Sequence, residues 1–188
     1  MANNIYNLIK IRNINSDVVQ KVEDIFKPNP SDLSCAADTV QLVNGVFDNI
    51  WVNGESDYDR TWVIDNCGAK WFFGNIEHID EDDTITISME SAWDPIIGWV
   101  EKFTEVLCKI KPDIYIEHKF EDEGYNFAGV NLTASNYSSG EYIDIYQWDV
   151  NKFWEDEKYL ESFDNELNDM MQEEIEGYLE YLKDSENE

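Results

Sequence analysis

Apolar positions along the chain change period several times, and the changes divide it into elements. Ile5, Leu8, Ile9 and Ile11, with Tyr6 and Lys10 among them, suit a first strand of imperfect alternation. Val18, Val22, Ile25 and Phe26 then fall three or four apart, so a helix follows, with Asn15 or Ser16 as its cap and Lys27 at its end. Pro28 and Pro30 stop it, and 28–59 reads as an insertion with one short helix, long enough to be a candidate interaction surface. Thr61 to Phe73 and Thr84 to Ser91 read as a strand pair. In it Trp62 and Trp71 flank a glycine turn, Ile85-Thr-Ile-Ser-Met89 alternates cleanly, and Asp80 to Asp83 make an acidic turn.

Asp94 and Pro95 suit a helix N-cap and first helical residue, and Ile96, Ile97, Val100, Phe103, Val106, Leu107 and Ile110 give that helix its apolar face up to Pro112. Three further strands are predicted at 114–116, 127–132 and 142–148, joined by short hairpin connections. From Phe153 the apolar residues Leu160, Phe163, Leu167, Met171, Ile175, Tyr178 and Leu182 recur at helical spacing, which predicts one long amphipathic helix. The expected fold class is α+β: a ferredoxin-like antiparallel sheet with two packed helices, an insertion after the first helix and a long C-terminal acidic helix. The expected division is a domain over 1–148, with the helix of 149–188 packed on it.

Charge changes the picture most. The 188 residues carry 41 Asp and Glu against 13 Lys and Arg, a formal charge of -28. Phosphate contacts need Lys and Arg, so direct nucleic-acid binding and anionic membranes are disfavoured and a basic partner is expected. The imbalance is concentrated at the end. From Asp149 to Glu188 there are 15 acidic residues and three Lys. Asp169 with Glu173, and Glu176 with Glu180, place like charges at i,i+4, where each pair weakens an isolated helix by about 0.2–0.5 kcal/mol. A helix selected only for its own stability would interleave Lys.

Chemistry is sparse. Cys35, Cys67 and Cys108 are odd in number with no CxxC, so neither a disulfide framework nor a zinc site is indicated, and no cofactor is expected. His78 and His118 have no ligand spacing around them, and Glu81, Asp82 and Asp83 lack the glycine of a calcium loop. Cys67 has no His nearby in sequence to activate it. The reading is non-enzymatic. The N-terminus has no apolar leader and no run nears the roughly 20 residues of a membrane span, so a soluble protein of the host cytoplasm is expected.

Two motifs carry a resemblance. Asn66-Cys67-Gly68-Ala69-Lys70-Trp71 and Ser91-Ala92-Trp93-Asp94-Pro95, followed by the Gly124 to Gly129 hairpin, resemble the ferredoxin-like family of YubB-type plasmid proteins and related phage proteins. In that family the first motif reads Asn-Trp-Gly-Thr-Lys-Trp; Cys67 and Ala69 depart from it. The resemblance covers about residues 60–135 and implies the fold and a mobile-element origin, but carries over no activity. Joined to the charge, it suggests an inhibitor of a host defence system, of anti-CRISPR or anti-restriction type. Such a protein would act as a DNA mimic on a basic host protein or nucleoprotein complex, for instance a nuclease. Glu121, Asp122, Glu123, Asp169, Glu173, Glu176 and Glu180 are the candidate partner-binding residues. The alternative is a scaffold or assembly protein, a homodimer through Leu167, Met171 and Tyr178 of the last helix.

Overall fold

The computed structural model describes residues 3–27, 34–80 and 84–185. Its six strands are β1 (Asn4–Arg12), β2 (Phe72–Asp80), β3 (Thr84–Ala92), β4 (Tyr115–Asp122), β5 (Ala128–Ala134) and β6 (Tyr137–Tyr142). All neighbours are antiparallel, in the order β2-β3-β1-β4-β5-β6. The helices are α1 (Ser16–Ile25), α2 (Cys35–Val46), α3 (Arg60–Cys67), α4 (Ile97–Cys108), α5 (Val150–Phe153) and α6 (Glu157–Ser185). This is a mixed α+β architecture in which the sheet separates two cores.

One face of the sheet buries Ile9, Ile11, Ile85, Ile87 and Ile116 against α1, α2 and α4, with Trp99 at the centre. Helix α1 starts where the chain is capped by Asn15, whose side chain accepts from Val18 N at 3.0 Å. The second core lies on the opposite face, where Phe163, Leu167, Met171 and Tyr178 of α6 cover Ala128, Val130 and Leu132 of β5. Alternation puts Tyr6, Leu8, Lys10 and Arg12 of β1 on that same opposite face, but α6 does not cover them: Tyr6 remains 45% exposed. Half of one sheet face is therefore open.

Several sequence expectations are corrected. The first half of the expected strand at Thr61 is helix α3: the Asp59 carboxylate accepts from Thr61 N and Trp62 N, and Gly68 closes the helix at φ +97°. β2 begins only at Phe72. The helix of the insertion, α2, buries Val40, Leu42, Val43 and Val46 in the main core, so that face of it is part of the fold. Thr39 latches it to the sheet, its hydroxyl 2.8 Å from Phe72 O and accepting from Phe72 N at 3.0 Å. Residues 28–33, and 81–83 of the acidic turn, lie outside the described residues.

Asp94 does not cap α4, which starts after Ile96; the Asp94 carbonyl instead accepts from Ser91 Oγ at 2.8 Å, and Trp93 beside it turns the chain at φ +76°. The last strand is displaced upstream of the expected 142–148. A two-residue loop, Ser135-Asn136, pairs Ala134 with Tyr137, and the chain leaves the sheet after Tyr142 into a short turn at Ile145–Gln147 capped by Asp144. The C-terminal helix starts at Glu157, after the separate short α5.

The imperfect alternation of β1 has a cause: Ile5, Asn7, Ile9 and Ile11 form its buried face, and Asn7 is polar. Asn7 Nδ2 donates to Ile5 O and to Ser91 Oγ at 3.0 Å each, while Oδ1 lies 3.0 Å from His118 Nε2 and 3.4 Å from Ile96 N. It ties β1, β3, β4 and the start of α4 together. His118 is fully buried on β4, and that burial pushes its imidazole down to about 3.

A buried neutral imidazole makes stability depend on pH. Between about 6.5 and 3 the unfolded chain holds a proton at this site that the native one does not, so stability falls as pH falls, by at most about 1.4 kcal/mol per pH unit. Urea unfolding at pH 6.5 and 5.0 should show a loss that His118→Gln removes. An equal pH dependence in both chains would rule out His118 as its source.

Candidate functional site

Two glycines lock the ends of α3 and α4 together. A Cβ at Gly68 would lie 2.6 Å from Pro95 O, and one at Gly98 would lie 2.5 Å from Asn66 O, so the backbones cross where no side chain fits. The two motifs noted in the sequence thus meet. Ala92 N donates to Trp71 O at 3.0 Å, and Lys70 Nζ sits 4.6 Å from the Trp93 ring centroid. Cys67 is enclosed in this junction, and burial lifts its thiol to about 12. A thiol held protonated there is a packing residue.

The acidic helix is held rigidly. Phe163 packs on Phe153, Trp148 and Tyr125, with ring centroids 4.9, 5.2 and 6.0 Å away. At the other end Tyr178 packs on Tyr115 and Tyr137. Over Glu157–Ser185 the helix has ten acidic residues and two basic ones. Asp169, Glu173, Glu176 and Glu180 are all exposed. Their spacing of four, three and four residues sets them in one row on the side away from Phe163 and Leu167, a row about 16 Å long. The ion pairs Arg12–Glu117, Lys102–Glu105 and Lys111–Asp113 join residues of β1, β4, α4 and the turn after it.

The three carboxylates of the β4–β5 turn part company. Asp122 is fully buried, and its Oδ2 accepts from Gly124 N at 3.2 Å and Asn126 N at 3.1 Å, so it shapes the turn and faces no partner. Glu123 is exposed at the tip. Glu121 is half-buried on the sheet face under the flank of α6 and is not brought into the outer row.

Glu121 instead lines a cleft of about 430 Å³ between the open sheet face and α6. Tyr6, Leu8 and Ser88 form its floor, with Lys119 beside Glu121, and Asp164, Leu167 and Asn168 form the helix wall. Burial raises the Glu121 carboxyl above its ordinary range, and the neighbouring Asp164 charge raises it further. Burial raises Asp164 too, against the pull of Lys119, while Lys119 is lowered by burial and by Lys10. Lys119 Nζ donates to the Asn168 side chain across the seam. No motif in the sequence marks this cleft. The Lys119–Glu121 alternation on β4 is its trace in the sequence.

Among the described residues no group of three or more His, Cys, Asp or Glu is placed to hold a metal ion. None of their helices is long and apolar enough to cross a membrane. No family model, curated protein or solved structure matches the chain.

Proposed function

We propose that the protein acts by binding rather than by catalysis, as an acidic inhibitor that occupies a basic nucleic-acid-binding surface in the manner of a DNA mimic. The observation that carries this reading is the exposed row Asp169, Glu173, Glu176 and Glu180 on a helix pinned to its own sheet. A charged row already ordered before binding keeps more of its interaction energy than one that must be ordered on contact. The resemblance of the two glycine-junction motifs to phage and plasmid proteins extends the proposal to the target: a nuclease or nucleoprotein complex of a host defence system, met in the host cytoplasm. The strand order β2-β3-β1-β4, with helices between β1 and β2 and between β3 and β4, supports a ferredoxin-like reading of the first four strands, with β5 and β6 added at one edge.

The assembly alternative loses its seam. Leu167, Met171 and Tyr178, through which a second copy was expected to pair, are buried on the chain's own β5 at 5%, 3% and 5% exposure.

The test is capture of the tagged chain's partners from host lysate at low and high salt, beside a variant carrying D169N, E173Q, E176Q and E180Q. Each screened contact contributes about 0.5–1 kcal/mol, so the variant should bind roughly 30-fold or more weakly. Recovery of a nucleic-acid-binding complex that salt or competing duplex DNA releases, and that the variant fails to retain, is the expected result. Recovery of the bait alone, retained in high salt, would overturn the proposal.

A further inference from the structure

The open half of the sheet face has the width of one helix. Strands lie about 4.8 Å apart and a helix is about 10 Å across, so α6, seated over β4, β5 and β6, leaves room beside it on β1, β3 and β2 for a second helix. Register sets the floor of this slot: Tyr6, Leu8, Lys10 and Arg12 of β1 beside Glu90, Ser88, Thr86 and Thr84 of β3. Ser88, Thr86 and Thr84 are short, Lys10, Arg12 and Glu90 end in flexible polar groups, and the cleft stays open above Tyr6, Leu8 and Ser88.

Its wall is apolar and acidic together. Asp164, Leu167 and Asn168 line the cleft, and the row through Asp164 and Asn168 continues by helical spacing to Ile175 and Leu182, with Leu179 alongside. Leu179 and Leu182 are 47% and 39% exposed, one and four residues after the buried anchor Tyr178. Glu77, Glu90, Glu121 and Asp164 border the slot, whereas of its cations Arg12 is already held by Glu117 at 2.7 Å, leaving Lys10 and Lys119. The excess is negative.

We infer that this slot receives a basic amphipathic helix of a partner protein, lying beside α6 with its apolar row on Leu8, Leu167 and Leu182 and its Lys or Arg residues between Glu121 and Asp164. The occupant is not a second copy, because that would bring a further charge of -28 against this face. The half-burial of Glu121 fits the assignment: it raises that carboxyl, and a cation seated between Glu121 and the exposed Asp164 lowers both. The inference rests on the reading that the partner is a basic protein. It moves part of the contact from the outer row of α6 to its inner flank, and it adds apolar burial to charge.

The test uses the full chain and two synthetic peptides of about 18 residues, built from Leu and Lys in equal composition, one with Leu at helical spacing and one scrambled. Binding is measured by calorimetry at physiological salt. The amphipathic peptide should bind roughly tenfold or more tightly than the scrambled one, equivalent to about 1.4 kcal/mol. Ser88→Trp, which fills the slot without changing charge, should abolish that preference, and the pair E121Q with D164N should weaken it. The D169N, E173Q, E176Q and E180Q variant should keep it. An unchanged thermal midpoint in Ser88→Trp shows that the fold is intact. Equal binding of both peptides, or a preference that survives Ser88→Trp, overturns the inference; so does a dimer that Ser88→Trp dissociates, or a single-stranded oligonucleotide that binds the slot in the peptide's place. Failure of the mimic reading shows elsewhere, in capture from lysate that the outer-row variant leaves unchanged.

Discussion

Replacing Phe163 by alanine should free α6 from the sheet while the core on the other face stays folded. Phe163 is fully buried and is the point where Phe153, Trp148 and Tyr125 converge, so the substitution removes the contacts that hold three separate segments. Burial of a side chain of this size is worth about 3–5 kcal/mol against alanine. That cost falls on a unit joined to the rest chiefly through β5 and the ends of β4 and β6, so it should be read locally. Hydrogen exchange measures it directly: amides of α6 should lose protection while those of β1 and β3 keep theirs. Equal loss in both regions would show that the two cores unfold as one. Where α6 is freed, binding through its outer row should weaken as well, since the row must then be ordered on contact.

Trp99→Ala should have the opposite distribution. Trp99 stacks on Phe103 at 4.7 Å, meets Phe72 at 5.8 Å and Phe26 at 6.1 Å, and donates from Nε1 to Leu42 O at 3.1 Å. It therefore joins α1, α2, α4 and β2 at one point. The cavity should cost about 3–5 kcal/mol, which for a chain of this length lowers the thermal midpoint by roughly 6–20 °C. Because the sheet itself rests on this core, protection should fall everywhere, α6 included. Trp99→Phe, which keeps the stack and loses the hydrogen bond, should lie between the variant and the parent. A loss below about 1 kcal/mol for Trp99→Ala would mean that the helices close over the gap.

Sequence patterning located the elements whose periodicity serves one buried face. The α4 face of Val100, Phe103 and Leu107, the alternation of β3, and the spacing of Phe163, Leu167, Met171 and Tyr178 all correspond to burial in the folded chain. It misread places where a local interaction outweighs periodicity. Trp62-Val63-Ile64 has strand composition, yet the Asp59 cap and the Gly68 terminus make it helical. Ser138-Ser139-Gly140 looks like a turn, yet it is the strand that follows the tighter turn at Ser135-Asn136. The outer carboxylate row was legible because it depends on spacing within one helix. Asp122 was not separable from Glu121 and Glu123, since only the path of the turn decides which of three adjacent acids is drawn inward. The cleft was out of reach for the same kind of reason: it exists only because α6 covers half of a face whose width no local pattern encodes.

The edge strand β2 has a further consequence. Its pairing with β3 shifts between Ile76 and His78, and its outer residues Glu77, His78, Ile79 and Asp80 are exposed. A strand with a broken register and carboxylates along it is a poor template for another chain, so this edge resists pairing with the same edge of another copy. Half of that safeguard is electrostatic. As pH falls through the carboxylate range the repulsion between copies fades and only the bulge remains, so acid is the condition under which this edge becomes open to pairing and aggregation.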